Sequence, residues 1–330
     1  MYIVTGGAGF IGSNLVRGLN RRGIDDVLVV DDLERGEKHL NLNGLRFADF
    51  VDYRDFLGAL ERFGKPRAVL HQGACSDTTE RNGRFMMQVN YECSKNLAEW
   101  SAACGAQFIY ASSAATYGDG KAGFREEPAC EWPLNVYGFS KRVFDSWVRR
   151  RLPSAKTQIA GVRYFNVYGP QENHKERMAS VVFKFHQQAL ADGKLRIFEG
   201  SDKLVRDFVF VDDCVEVNLH FLDHPEQSGV FNCGSGRAES FQKLCETTLA
   251  HYPGARIEYI PFPADLKGKY QDYTCADLSR LRRAGYTREF TTLERGVASY
   301  VEILMHSGGY HRALNHCGCR PCPTSTACSN

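Results

Sequence analysis

Tyr137 and Lys141 stand four residues apart in Tyr137-Gly138-Phe139-Ser140-Lys141. A tyrosine and a lysine at that spacing can do acid–base chemistry. On a helix such residues share a face, and an ammonium group nearby favours the phenolate over the phenol. The pair therefore predicts a tyrosine drawn down from its ordinary pKa of about 10 towards a value usable at neutral pH. Ser113 follows a short apolar run and can hydrogen-bond a substrate hydroxyl or the carbonyl formed from it; the plainer alternative is a strand-end turn. YxxxK recurs by chance, so its weight depends on what surrounds it.

Thr5-Gly6-Gly7-Ala8-Gly9-Phe10-Ile11-Gly12 lies between an apolar strand and a helical pattern. It is a GxxGxxG variant of the dinucleotide fingerprint. Gly6 allows a tight turn, Gly9 lets backbone approach a pyrophosphate, and Gly12 lets the helix pack on the strand. The helix start offers unpaired N–H groups to phosphates. Asp31 ends the next strand about 20 residues on, where a carboxylate meets a ribose hydroxyl. Asp31 alone suits NAD; Arg35 and Lys38, just beyond it, can pair with the 2′-phosphate of NADP or simply be solvated.

Elements that would position these groups follow from periodicity. Strands are expected at Tyr2–Thr5, Val27–Val30, Ala68–Gln72, Phe108–Ser112 and Ile159–Arg163, each short and mostly apolar as in strands covered on both faces. Helices are expected at Phe10–Arg22, Phe85–Cys104 and Tyr137–Arg151, the second with a stripe through Met86, Val89, Cys93, Leu97 and Trp100. The alternation predicts an α/β fold, a doubly wound parallel sheet of Rossmann type with a smaller α/β substrate-binding domain. Beyond Pro170 the pattern gives a helix at Val181–Ala191, a strand at Phe208–Val211 returning to the first sheet, a helix at Glu239–His251 and a strand at Ile257–Ile260. Residues 1–167 with about 208–234 form the expected cofactor domain, and about 168–207 with 235–306 the substrate domain. Residues 307–330 read as a disordered tail.

Composition bounds the rest. The chain has 330 residues, 43% hydrophobic and 24% charged, with net charge +2. That balance gives no electrostatic bias towards nucleic acid. No run approaches the ~20 apolar residues of a membrane span, and no signal peptide is visible at the N-terminus, which predicts a cytoplasmic protein. Of the 12 cysteines, Cys317, Cys319, Cys322 and Cys328 crowd the tail. Cys319 and Cys322 make a CxxC, but a segment rich in Gly, Pro, Ser and Thr is no scaffold for a four-ligand zinc site. No metal is expected.

The order Gly6/Gly9/Gly12, Ser113, Tyr137/Lys141 resembles the extended short-chain dehydrogenase/reductases that act on nucleotide sugars. The stretches His71–Ser76, Ser112–Gly118, Arg163–Pro170, Phe198–Ser201, Arg206–Val209 and Gly236–Phe241 narrow the likeness to the ADP-glycero-manno-heptose 6-epimerases. It runs from Met1 to about Met305. The resemblance implies tightly bound NADP held by Phe10, Ile11, Asp31, Asp32, Lys38, Gln72, Gly73, Ala74, Cys75, Ser76, Asn90, Tyr137, Lys141 and Val167. It implies a sugar nucleotide, ADP-heptose, held by Ser113, Asn166, Lys175, Phe198, Glu199, Gly200, Ser201, Arg206 and Tyr270. The arginine suits a diphosphate because its planar fork bonds two oxygens; otherwise it would pair with Asp207 or another acid.

The implied reaction is epimerisation at C6 by oxidation and re-reduction, with Tyr137 and Lys175 as two acid/base groups, and a product feeding lipopolysaccharide core. The resemblance also implies a homo-oligomer, a pentamer. Four positions depart from the family pattern: Gln72 replaces an acid, Tyr53 a lysine, Arg177 a serine and Lys184 a histidine. A 4,6-dehydratase needs a carboxylic acid pair beside the serine, and Ala114 and Ala115 stand there. A UDP-hexose 4-epimerase remains the nearer alternative, separated by the Lys175 loop. A non-catalytic sensor on this fold would be expected to lack the tyrosine or the lysine.

Overall fold

The computed structural model describes residues 1–34, 36–263 and 272–312. Arg35, Tyr270 and the four tail cysteines lie outside the described residues.

A seven-stranded parallel sheet organises the larger unit, in the order β10-β6-β5-β4-β1-β2-β3. Its strands are β1 (Tyr2–Thr5), β2 (Val27–Asp31), β3 (Asp49–Asp52), β4 (Ala68–His71), β5 (Gln107–Ser113), β6 (Ile159–Tyr164) and β10 (Gly229–Cys233). Side chains alternate across it, so each face carries its own core. On one face Val4, Val29, Leu70 and Ile109 meet α1 (Phe10–Arg21) and α7 (Val211–Asp223) through Leu15, Leu19, Val215 and Leu219. On the other, Ile3, Val30, Val69 and Phe108 meet α2 (Tyr53–Gly58), α4 (Cys93–Cys104) and α5 (Val136–Arg151) through Phe56, Leu97, Phe144 and Trp147. Burying one such side chain is worth about 1.5–3 kcal/mol, and these two layers fix the sheet.

Three differences from the sequence reading have physical causes. First, the strand at Phe208 does not return to this sheet. It is β9 (Val205–Phe210), paired with β7 (Asn166–Tyr168) and β11 (Ala238–Ser240). Phe208 and Phe210 face the second core while Val209 faces the first, so its apolar pattern suits either sheet and names no partner. The seventh strand is Gly229–Cys233. Second, Phe85–Cys104 is not one α-helix: α3 (Gly83–Met86) passes into a π-helical stretch, Met87–Glu92, before α4. Such bulges recur at functional sites, and this one turns Asn90 inwards. Third, Ala238–Ser240 is strand, and Ser240 caps α8 (Phe241–Leu249) by accepting from Lys243 N.

The smaller unit packs α6 (Val181–Asp192), α8 and α10 (Leu293–Ser307) around Phe183, Leu195, Phe208, Leu244, Val297 and Tyr300. Its β8 (Lys194–Phe198) pairs in parallel with β12 (Arg256–Ile260). The short α9 (Ser279–Arg283) covers β10 through Leu281. Among the described residues, no helix is long and apolar enough to cross a membrane.

Candidate active site

Because β1, β4, β5 and β6 are parallel neighbours in register, the loops leaving their C-terminal ends meet along one edge. This is where doubly wound sheets bind ligands. The Gly6–Gly12 turn leaves β1, Gln72–Ser76 leaves β4, and Ser113 ends β5.

The glycine turn is a cradle that side chains would fill. A Cβ on Gly12 would lie 2.0 Å from the Gly6 carbonyl oxygen, and one on Gly6, at φ +65°, 2.7 Å from Gly73 N. Gly9 caps α1 with no side-chain bond to its N–H groups. Behind the turn, Asp31 accepts from Ala8 N at 2.8 Å through one oxygen and from Lys38 Nζ at 2.9 Å through the other. Lys38 also donates to Asp32 at 2.9 Å. Burial pushes the Asp31 carboxyl up, and the Lys38 ammonium opposes that shift. Close backbone turn, open helix start and carboxylate at the strand end together fit a dinucleotide.

Gln72 sits under this turn. Its amide oxygen accepts from the Tyr164 hydroxyl at 3.0 Å, and Tyr164 accepts in turn from Asn218. Asn90 is 1% exposed. It accepts from Cys75 N at 2.8 Å and donates to Cys75 O and to Ser140 Oγ. Its amide therefore staples the Gln72–Ser76 loop to the helix that carries Tyr137. Buried His71 joins the same frame: the Thr5 hydroxyl lies 2.6 Å from Nδ1 and the Ser94 hydroxyl 2.8 Å from Nε2. Burial, and then the Lys141 charge, hold its pKa down at about 3, so it is neutral.

Tyr137 lies in the first turn of α5, where Asn135 caps by accepting from Gly138 N at 2.8 Å. A Cβ on Gly138 would lie 2.5 Å from the Ala115 carbonyl, so that glycine lets the helix press against the turn after Ser113. The Tyr137 and Ser113 hydroxyls come within hydrogen-bonding reach. Lys141, 4% exposed, donates to Ala111 O at 3.0 Å. Here the structure corrects the expected electrostatics. Burial raises the Tyr137 pKa and the Ser113 bond only partly offsets it. The Lys141 charge is spent on a carbonyl, and its own pKa falls to about 8 through burial. The tyrosine of the free protein is a phenol.

Behind the pair lies a buried charge cluster that the sequence reading missed. Asp145, one turn beyond Lys141, accepts from the Tyr110 hydroxyl at 2.8 Å, the Ser112 hydroxyl at 2.7 Å and Arg163 Nη2 at 2.5 Å. Arg163 also reaches Glu131 at 2.7 Å, and Arg149 closes on Glu131 too. Arg163 is 0% exposed. The i, i+4 spacing of Lys141 and Asp145, and an arginine ending an apolar strand, were the available signals.

Lys175 lies on a short 3-10 turn, Asn173–Met178. Its ammonium is 5.0 Å from the Phe10 ring centroid. Burial lowers its pKa, and Glu172 opposes the shift. Val167 is half-buried against the first core, while Asn166 is exposed. Phe198–Ser201 turns after β8 with Gly200 at φ +79°, and Ser201 N donates to Phe198 O at 3.1 Å. Arg206, 5% exposed, donates to Val205 O at 2.9 Å and lies over the Phe241 ring. It does not pair with Asp207, whose carboxylate is taken up by Ser235, Gly236 and Ala276. Arg177 instead reaches Asp77 and Thr79, tying the Lys175 turn to the loop after β4.

Residues 2–234 match the profile of the NAD dependent epimerase/dehydratase family. The chain is 52% identical over 316 residues to an ADP-L-glycero-D-manno-heptose-6-epimerase of Brachyspira hyodysenteriae, covering 94% of this chain and 99% of that one. It is 53% identical over 312 residues to the enzyme of that name from Alkalilimnicola ehrlichii, covering 92% and 97%. Among solved structures it is similar to the Helicobacter pylori ADP-L-glycero-D-manno-heptose-6-epimerase, at 31% identity and TM-score 0.80, covering 92% and 96%. It is also similar to the UDP-glucose 4-epimerase of Thermotoga maritima, at 28% identity and TM-score 0.78, covering 92% and 98%.

Proposed function

The chain belongs to the NAD dependent epimerase/dehydratase family, and on that premise we propose that it inverts C6 of ADP-D-glycero-β-D-manno-heptose. The observation that carries this reading is identity above 50% along nearly the whole length of two heptose 6-epimerases. The complete Ser113, Tyr137 and Lys141 group supports an enzyme rather than a sensor.

A nicotinamide dinucleotide, when bound, supplies a reversible hydride acceptor. The chain's own residues do the rest. Tyr137 moves a proton to and from the C6 oxygen, and Ser113, in reach of the phenol, holds that oxygen. Lys141 sets a cation beneath the pair. Oxidation leaves a flat ketone that can present either face, so a second proton carrier is needed on the opposite side. Lys175, pushed down by burial, is that group. Arg206, with the Phe198–Ser201 turn, holds the diphosphate end. Residues 1–167 with about 208–234 hold the cofactor, and the remainder up to 306 the sugar.

NADP is the proposed cofactor. Tyr53 lacks a charge, and Arg54 and Lys38 are each paired with two carboxylates; Lys38, bonded to Asp31 at the strand end where the ribose would lie, is the cation we assign to the 2′-phosphate. A cytoplasmic homo-oligomer supplying heptose for lipopolysaccharide core completes the proposal. Incubation with ADP-D-glycero-D-manno-heptose and, separately, UDP-galactose, followed by NMR, tests it. Inversion of the heptose alone is expected; inversion of the hexose alone would move the chain to the 4-epimerases.

A further inference from the structure

Lys175 sits on an irregular turn, yet its neighbourhood is tightly specified. Gln171, four residues earlier, is 1% exposed with φ +78°. A non-glycine residue there is strained and persists only where surroundings over-determine it. All four of its polar groups are engaged. Its N–H donates to Gly309 O at 2.8 Å and its amide NH2 to Asn41 O at 2.8 Å. Its carbonyl accepts from Asn41 Nδ2 at 3.1 Å and its amide oxygen from His311 N at 3.3 Å.

The same knot reaches the glycine cradle. Asn41 Nδ2 also donates to Ala8 O at 2.9 Å. Asn14 donates to Phe10 O at 2.9 Å and Pro170 O at 3.0 Å, and its amide oxygen takes His311 Nε2–H at 2.9 Å. Asn173 donates to Gly308 O at 2.7 Å. Glu172, three residues before Lys175, ties the loop to the start of α6 by accepting from the Ser180 N–H and hydroxyl, each at 2.6 Å.

From these contacts we infer that Gly308–His311 is a strap whose knot with Asn14, Asn41 and Gln171 couples occupancy of the glycine cradle to the placement of Lys175. The Ala8 and Phe10 carbonyls belong to the turn that a dinucleotide must touch. Ordering that turn firms the amides bonded to it, and those amides hold the Lys175 loop. Two sites that share one set of hydrogen bonds are coupled in free energy, reciprocally. The strap is thus a positioning element and touches no reacting atom. Its effect on turnover rests on the role proposed for Lys175; the coupling itself does not.

The test is hydrogen exchange of the peptide spanning residues 170–178, with and without NADP+, in wild type and in His311→Ala. NADP+ should slow exchange in this peptide of the wild type. In His311→Ala that cofactor-dependent protection should fall at least about fivefold, while exchange in β1, β4 and β5 is unchanged and NADP+ still binds. Epimerisation by the variant should fall about 10-fold or more in kcat, the scale of a misplaced group. Asn173→Ala, which cuts one tie only, should move in the same direction by less. Equal protection in wild type and both variants, or loss of protection throughout the sheet, would overturn the coupling. Equal protection with normal NADP+ binding would leave the proposed reaction standing, whereas no NADP+ binding at all would sink both.

Discussion

Tyr137 and Lys175, proposed to exchange protons on opposite faces of one carbon, are held in opposite ways. Tyr137 rides a 16-residue helix, capped by Asn135 and backed by the Asp145–Arg163–Glu131 cluster. Lys175 rides a turn between two positive-φ residues, Gln171 and Glu176, in a loop held by the amides of two distant residues, Asn14 and Asn41, and by the C-terminal strap. The first arrangement gives a group whose geometry survives without ligand. The second gives one whose placement depends on contacts across more than 100 residues of chain. An epimerase that must let a ketone turn over between two faces has reason to keep one face fixed and the other adjustable.

The sharpest way to break that contrast is at the helix side. Arg163→Ala should cost about 3–5 kcal/mol in urea unfolding, because it leaves the buried Asp145 carboxylate without its ion-pair partner. A loss under ~1 kcal/mol would show that the cluster does not stiffen the Tyr137 side.

Lys141→Met tests the electrostatics in the opposite direction. The folded pKa of about 8 lies below the ordinary 10.5, so the native state binds this proton less tightly than the unfolded chain. The penalty is full below about pH 8 and fades as pH rises to the unfolded value. The cofactor-free variant should therefore be more stable at pH 7, by on the order of 3 kcal/mol, and the gain should vanish by about pH 10.5. Turnover should collapse all the same. A variant no more stable at pH 7 would mean the lysine is not desolvated.

Tyr137→Phe should lower turnover at least ~100-fold with the dinucleotide still bound, and Lys175→Met should cripple epimerisation in the same way. Normal interconversion of both heptose isomers by the lysine variant would reassign the second face. Smaller still, Lys38→Ala should weaken NADP binding about 10-fold more than NAD, as loss of one charged contact implies. Calorimetry showing equal losses would remove Lys38 from 2′-phosphate recognition.

The same contrast governs what could be read from the sequence. The glycine turn, the strand before it, Asp31 and YxxxK are local patterns, and the sheet edge that gathers them follows from βαβ alternation. The partner of β9 was not legible, because a strand with apolar residues on both faces fits either sheet. Asn90 was named through resemblance, but its stapling of Cys75 to Ser140 depends on a π-helical stretch that no three- or four-residue spacing announces. Gln171, Asn41 and His311 carry no motif at all; their meaning arises only when residues 130 or more apart meet. Lys175 looked like any loop lysine until the resemblance singled it out. The spacing of Tyr137 and Lys141 predicts a lowered tyrosine pKa, but burial raises it, with only the Ser113 bond opposing, and the lysine donates to Ala111 O instead.

The central claim, that C6 gives up a hydride and takes the same one back, is open to one direct measurement. ADP-D-glycero-D-manno-heptose carrying deuterium at C6 should be converted to the L-glycero isomer with the deuterium retained at the inverted carbon. Product in which solvent hydrogen has replaced it would contradict the account.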